Sequence, residues 1–313
     1  MKILIYGAGA LGQALGCMLA AEGHEVDLIL RERFIPILKE NGLKVTGIFG
    51  DYGPVTSLGL LPDVSQARKS YDYALITTKT YDTRQAVHDL GLIDGQIKTL
   101  VSMQNGCGNI EQLVERFGSE RVLGSRVITG FEIVEPGLVK ITVSADAIHV
   151  GSSSGGEIPA SASLLAEAIS SAGHECLAVP DIHQSLYAKL LYNCSLNPLG
   201  AILGVHYGAL VEREETRAII DEVITETFAI ITATGGTTPW QSADEYREIF
   251  YAKLIPATYH HRPSMLQDLE NGKPTEVDGL AGYVSAMGAK HNVPTPTCDL
   301  LASLVRFKQA QAV

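Results

Sequence analysis

Gly7-Ala8-Gly9-Ala10-Leu11-Gly12 spaces three glycines as G-x-G-x-x-G directly after the apolar run Lys2–Tyr6. A strand, this turn and a following helix form the context in which the motif binds a dinucleotide. The first glycine permits a tight turn, the second lets the main chain approach a pyrophosphate, and the third lets helix and strand pack closely. The N–H groups at the helix start, around Ala8, Ala10 and Leu11, then receive phosphate charge. A glycine-rich turn without a ligand is the alternative, and the context weighs against it. The next strand-like run, Glu25–Leu30, ends at Arg31, with Arg33 just beyond. An NAD site ordinarily closes this strand with an acid for the ribose 2′-hydroxyl. A guanidinium at 31 instead suits a 2′-phosphate, which it can hold bidentately. Asp27 competes from inside the strand and Glu32 from one step past it, and a merely solvated Arg31 is the other reading. The expectation is NADP, used as NADPH.

Two further turns follow strand-like runs: Thr78-Lys79-Thr80 after Tyr73–Thr77, and Met103-Gln104-Asn105-Gly106 after Thr99–Ser102. Open α/β sheets bind ligands at such strand ends. Lys79 could pair with an anion, and Asn105 could position a nicotinamide or a polar group of a substrate. By pattern alone, each also fits a purely structural turn. Farther along, Lys189, Asn193 and Asn197 are spaced i, i+4, i+8. A helix places them on one face over about 12 Å of axis. Leu, Tyr, Cys and Ala surround them, so the pattern describes either a polar stripe in a buried helix, costly without partners, or a solvated stripe. Pro198 removes one hydrogen bond of that helix, near the Cys194 carbonyl. Ser264, Asp268, Glu276 and Asp278 stand at or near helix starts, where capping or exposure accounts for them. His260-His261 lacks the H-E-x-x-H or Cys/His company of a metal site, and none is expected.

The elements that carry these residues divide near residue 180. Before it, strand-like runs alternate with helical ones, which implies βαβ units and a mostly parallel sheet. Val122–Thr129, Val139–Val143 and Ile148–Val150 depart from that rhythm. With Glu135-Pro136-Gly137 between them, they read as an antiparallel hairpin appended to the sheet. A helix at Ile158–Ser171 and a last strand at His174–Val179 close this part. After Pro180 the pattern is helical: Ile182–Ile202, Leu210–Ala233, Ser242–Ile255, Ser264–Asn271, Val277–His291 and Pro296–Gln309. Ser242 with Glu245, and Thr295 before Pro296, are start signals, and Gly235-Gly236 is a stop.

Over 313 residues the chain is 46% hydrophobic, 19% charged and carries a net charge of −11. Two globular domains fit the length, and the acidic balance argues against a nucleic-acid partner. The five cysteines are odd in number, widely spaced and without C-x-x-C, which fits a reducing compartment rather than a disulfide framework. Met1 is followed at once by the first strand, which does not read as a signal peptide, and no run is long and apolar enough for a membrane span. The expected location is the cytoplasm. A homodimer is compatible with the sequence, although no motif specifies one.

GAGALG at 7–12, Arg31, the Lys79 turn, QNG at 104–106, KLLYNCSLNPLGAI at 189–202 and SMLQDLENGKPTEVDGL at 264–280 closely resemble the ketopantoate (2-dehydropantoate) reductase family. The resemblance covers nearly the whole chain, and its last two segments are specific. It implies a Rossmann-type, doubly wound NADP domain over residues 1–180. An all-helical substrate-binding and catalytic domain over 181–313, like that of 6-phosphogluconate dehydrogenases, would follow. It implies NADPH-dependent reduction of a 2-keto acid to pantoate, for pantothenate synthesis. Lys189 matches the general acid and Glu276 the active-site glutamate, which also touches the nucleotide side. Asn193, Asn197 and Ser264 match substrate contacts. Gly7, Gly9, Gly12, Arg31, Lys79 and Asn105 match the nucleotide side, with Asn105 close to both ligands. Two positions depart from the family pattern: His261 stands where Asn is frequent and Asp82 where Gln is frequent. His261 retains a hydrogen-bonding ring. A reductase of another branched 2-keto acid is the nearest rival reading, and a non-catalytic NADP-binding sensor is the rival from another class. The Lys189 stripe argues against the sensor.

Overall fold

In the computed structural model, residues 1–311 are described. The chain forms two compact units, one of Met1–Asn105 with Asn109–Ile182, the other of Gly106–Gly108 with the chain from His183 onward. In the first unit the strands are β1 (Lys2–Tyr6), β2 (Glu25–Ile29), β3 (Leu43–Gly47), β4 (Tyr52–Val55), β5 (Gly59–Leu61) and β6 (Tyr71–Ile76). Then come β7 (Ile97–Ser102), β8 (Val122–Arg126), β9 (Thr129–Glu135), β10 (Leu138–Ser144), β11 (Ile148–Ser152) and β12 (Cys176–Val179). The helices between them are α1 (Ala10–Ala21), α2 (Ile35–Asn41), α3 (Thr83–Gly91), α4 (Asn109–Phe117) and α5 (Ala160–Ser171).

The main sheet has eight strands in the order β12-β11-β8-β7-β6-β1-β2-β5. From β5 to β8 all neighbours are parallel. β11 runs antiparallel to β8, and β12 is parallel to β11. β1 is central, and Ile3, Leu4 and Ile5 are each fully buried, as expected of a parallel strand covered on both faces. From β1 the chain winds outward through β2 to β5, then returns to β6 on the other side of β1. That reversal opens a crevice at the carboxyl ends of β1 and β6, where doubly wound sheets take their ligands.

The sequence places the hairpin after residue 122 on the same sheet; the structure does not. β9 and β10 pair with each other, and β10 joins β3 in a separate sheet of order β4-β3-β10-β9. Only β8 and β11 of that stretch lie in the main sheet. β3, β4 and β5 are absent from the sequence reading. They are three to five residues long and interrupted by Gly and Pro54, too short to show an alternation. The second sheet packs on α1: Val45, Val139 and Ile141 are buried in the same core as Ala14, Leu15 and Met18, and the Cys17 thiol donates to Leu43 O at 3.2 Å.

The second unit is helical: α6 (Ile182–Leu203), α7 (Tyr207–Val211), α8 (Glu214–Ala233), α9 (Ala243–Ile249), α10 (Ile255–Ala257), α11 (Ser264–Glu270), α12 (Ala281–His291) and α13 (Pro296–Gln311). The stretch expected as one helix from Leu210 breaks at Glu212-Arg213. That expected over Ser242–Ile255 contains a π turn at Phe250–Leu254, and that expected from Val277 begins with a 3-10 turn, Val277–Gly279. Ser242 caps α9 by accepting from Glu245 N at 3.2 Å, and Glu245 Oε2 accepts from Gln241 N at 2.6 Å. No helix of the described residues is long and apolar enough to cross a membrane.

Candidate active site

Gly7 sits at φ +100°, and a Cβ there would lie 2.4 Å from Thr78 Cγ2 and 2.8 Å from Thr78 N. A Cβ on Gly12 would meet Thr77 Oγ1 at 2.5 Å and Gly7 O at 2.6 Å. Both glycines therefore serve close approach within the protein. Gly9 differs: a Cβ there has nothing within 4 Å. It is the N-cap of α1 and supplies no side-chain cap. The first bond of the helix is Gln13 N to Gly9 O, 2.9 Å, so the N–H groups of Ala10, Leu11 and Gly12 precede the intrahelical ladder. Gln13 Nε2 holds the Ala8 carbonyl at 2.8 Å. A main-chain cradle with open space at Gly9 and unclaimed helix-start N–H groups fits a pyrophosphate.

Arg31 follows β2 and is exposed. Asp27, the competing acid, is 3% exposed and already engaged: Lys69 Nζ donates to Oδ1 at 2.8 Å and Tyr71 OH to Oδ2 at 2.7 Å. It points toward neighbouring strands and is not available to a ribose. Glu32 starts a 3-10 turn and is exposed beside Arg31.

The Lys79 and Asn105 turns are tied together by residues the sequence reading passed over. Gln104, 5% exposed, donates through Nε2 to Thr83 Oγ1 at 2.8 Å and to Lys79 O at 3.3 Å. The Thr83 hydroxyl donates to Asn109 Oδ1 at 2.7 Å, and Asn109 Nδ2 donates to Asn105 O at 2.9 Å. Thr80 Oγ1 also donates to Asn105 O, at 2.9 Å. A buried, satisfied network of this kind rigidifies the loops it joins. Lys79 is half-buried and Asn105 exposed at its rim. The two amides Gln104 and Asn109 near Asn105 were the only local signal, and it is weak without the fold, because Thr80 and Thr83 come from a distant turn.

In the second unit α6 is largely buried: Leu190, Leu191, Cys194, Leu196 and Leu199 are at most 4% exposed. The face carrying Lys189, Asn193 and Asn197 is thus no solvated stripe. Lys189 and Asn193 are half-buried and Asn197 is 4% exposed. Tyr207 OH donates to Asn197 Oδ1 at 3.1 Å, which turns the donor end of the amide away from Tyr207. The Tyr207 ring lies 5.1 Å from that of His261, so Asn197, Tyr207 and His261 form one assembly. Burial pushes the Tyr207 hydroxyl above its ordinary pKa, keeping it a donor. Desolvation of the His261 ring, although the residue reaches solvent, pushes its pKa down. Tyr207 was not anticipated, since only the turn after α6 brings it back onto that helix.

Ser264 is the first residue of α11, and Pro263, not Ser264, stands at the N-cap position. Pro263 packs on α6, where a Cβ on Gly200 would meet Pro263 Cγ at 2.6 Å. Glu276, 9% exposed, precedes the 3-10 turn without capping it. Gln309 Oε1 anchors the residue before it, accepting from Thr275 N at 2.8 Å. Gly106–Gly108 belongs here too: Cys107 N donates to Gly279 O at 2.9 Å. Capping therefore does not account for Ser264 or Glu276. Asp278, by contrast, is an exposed partner of Arg306, with Nε at 2.9 Å. Among the described residues no group of three or more His, Cys, Asp or Glu is placed to hold a metal, and the five cysteines are buried and form no disulfide.

Comparison with known proteins places the chain among relatives along its whole length. Residues 3–155 match the family model described as ketopantoate reductase PanE/ApbA, and residues 181–309 match the model of that family's C-terminal part. A curated 2-dehydropantoate 2-reductase of Aquifex aeolicus (strain VF5) is 37% identical over 310 residues, covering 99% of this chain and 97% of its own. The crystal structure of a PanE/ApbA family ketopantoate reductase from Ralstonia eutropha JMP134 superposes with a TM-score of 0.85 at 29% identity, covering 100% of this chain and 99% of that one. A ternary structure of D-mandelate dehydrogenase with NADH and anilino(oxo)acetate also gives 0.85, at 26% identity, with coverage of 100% and 99%. Shared extent, shared identity and a shared fold agree: the chain belongs to the ketopantoate reductase family.

Proposed function

We propose that the protein is a 2-dehydropantoate 2-reductase that reduces ketopantoate to pantoate, a step toward pantothenate, and that it draws on NADPH. The observation that carries this reading is the polar face of α6, Lys189, Asn193 and Asn197, set into a buried helix. The full-length relationship to curated reductases supports it. When bound, the nicotinamide supplies the hydride. The residues of the chain do the rest. The Gly7–Gly12 turn, through Ala8, Ala10 and Leu11, receives the pyrophosphate. Arg31 meets the 2′-phosphate, while Asp27, the acid that could have accepted from an unphosphorylated ribose, is occupied by Lys69 and Tyr71. Lys79 and Asn105, held by the Gln104 network, line the nucleotide side.

On the substrate side, the Lys189 ammonium stabilises negative charge growing on the keto oxygen and delivers its proton. Asn197 is oriented by Tyr207, so that its Nδ2 donates to substrate, with Asn193 beside it on the helix. Ser264 offers its hydroxyl to the substrate carboxylate. Glu276 holds the lysine or a substrate hydroxyl, and His261, kept neutral, shapes the pocket wall through Tyr207. A sensor without turnover would have no use for this alignment. The proposed location is the cytoplasm.

The test is a panel of 2-keto acids, each followed by nicotinamide absorbance with NADPH and with NADH. Ketopantoate should give the highest kcat/KM, and NADPH should be the better donor. Faster turnover of another branched or aryl 2-keto acid would displace the substrate assignment, and silence on all of them would remove the enzyme reading.

A further inference from the structure

Three strand ends meet at the first turn. Ile29 O accepts from Gly7 N at 3.4 Å and from Ala8 N at 3.1 Å, and Tyr6 O accepts from Thr77 N at 2.9 Å. Arg31 follows Ile29 on one side of the turn. Asp82 follows Thr77 on the other side, at the end of the 3-10 turn Thr80–Asp82. Asp82 is also the N-cap residue of α3, a position at which aspartate ordinarily accepts a helix N–H. Here it makes no such bond, because the preceding turn holds it in a helical conformation (φ −93°, ψ −1°) instead of the extended one that capping needs. The carboxylate is left at the sheet edge. Partial desolvation there pushes its pKa up, and the positive field of Arg31 pulls it back down. Tyr6 also stands in its field; the Tyr6 hydroxyl donates to Asp89 Oδ2 at 2.6 Å, and Gln85 and His88 bond the other oxygen of that carboxylate.

We infer that Asp82 is a specificity-determining residue at the adenosine end, an anion that competes with the nucleotide 2′-phosphate for Arg31. This rests on the reading above, in which the glycine turn holds the dinucleotide and Arg31 stands at its 2′ position. A phosphate monoester carries about −1.5 to −2 charges near neutral pH, whereas a 2′-hydroxyl carries none. A second anion that stands in the field of the same guanidinium therefore penalises the phosphorylated nucleotide and spares the other. The chain binds NADPH over NADH by a smaller margin than Arg31 alone would impose. Asp82 thus sets how far the protein accepts both donors.

Equilibrium binding tests this without reference to turnover. NADPH and NADH are titrated into the wild-type protein and into D82N by calorimetry at pH 8 in low salt, where carboxylate and phosphate are both ionised. D82N should bind NADPH about five- to twentyfold more tightly, the scale of removing one nearby like charge at a partly solvated site, with NADH changed by less than about twofold. The NADH titration also shows that the variant is folded. In an R31A background the same substitution should lose most of its effect on NADPH. An unchanged NADPH affinity, or equal gains for both nucleotides, overturns the assignment. A full gain that survives R31A overturns the competition for Arg31. If neither nucleotide binds the wild-type protein, the dinucleotide reading itself falls, and the role of Asp82 with it.

Discussion

Gly9 and Gly12 look alike in the sequence and differ in what surrounds them. At Gly12 a methyl group collides with Gly7 O and Thr77 Oγ1, whereas at Gly9, with φ −75°, it meets nothing. Gly9→Ala should therefore fold with a Tm within about 2 °C of wild type, as for surface substitutions generally, yet bind NADPH at least about tenfold more weakly. Loss of both stability and binding would mean that the open space at Gly9 is not where the pyrophosphate lies. Lys189→Ala addresses the other end of the chemistry. Removing the proposed general acid should lower kcat by about 10²–10⁴ and leave the Kd of NADPH unchanged; near-normal turnover would end the proposed role. The glycine motif, Arg31 and the Lys189 stripe stand out in the sequence because each is a local pattern of residue type and spacing. Tyr207, Gln104, Thr83 and Asn109 were not, because each works through a partner far away in sequence, as Tyr207 does through Asn197.

At the scale of elements the same distinction separates two helix starts. The cap of α9 lies within five residues, Gln241 to Glu245, and the Ser242 signal reveals it. The Thr295-Pro296 signal marks the start of α13 correctly, but not what holds it. Thr295 Oγ1 bonds Asp299 Oδ1 at 3.1 Å. The helix-start groups Thr297 N and Cys298 N are taken, each at 2.8 Å, by the carboxylate of Glu226 from α8. Glu226 is 6% exposed, so Glu226→Ala strands two buried donors and removes a charge that favours a helix N-terminus. A loss of about 2–3 kcal/mol is expected, read as a lower urea midpoint at unchanged slope. A shift under about 0.5 kcal/mol would show that water replaces the carboxylate without cost.

Across the molecule, one buried histidine couples stability to pH. His174, 1% exposed, bridges from the segment before β12 to the second sheet. Its Nε2 lies 2.9 Å from Thr129 Oγ1 and its Nδ1 lies 3.1 Å from Glu175 O. Burial pushes its pKa below the ordinary value, outweighing the opposing pull of Glu175. The unfolded chain then binds the proton more readily, near pH ~6.5. His174 thus costs nothing above that pH and destabilises the fold as pH falls below it. His174→Gln should remove that part of the slope, which one proton limits to about 1.4 kcal/mol per pH unit. Unfolding free energies at pH 5.5, 6.5 and 8 for both proteins check this. Parallel slopes would assign the effect elsewhere, His24 and His149 also being depressed by burial.

Amino-acid order alone carried the glycine turn between strand and helix, the likeness to a reductase family, the parallel sheet and the change to helices after Pro180, since these follow from periodicity, glycine geometry and spacing within a few turns. The second sheet, the Gln104 network, the seating of Asn197 by Tyr207 and the uncapped carboxylate of Asp82 emerged from the folded chain. Each depends on which distant backbone a short segment pairs with or which far side chain reaches it, and local pattern encodes no such partner.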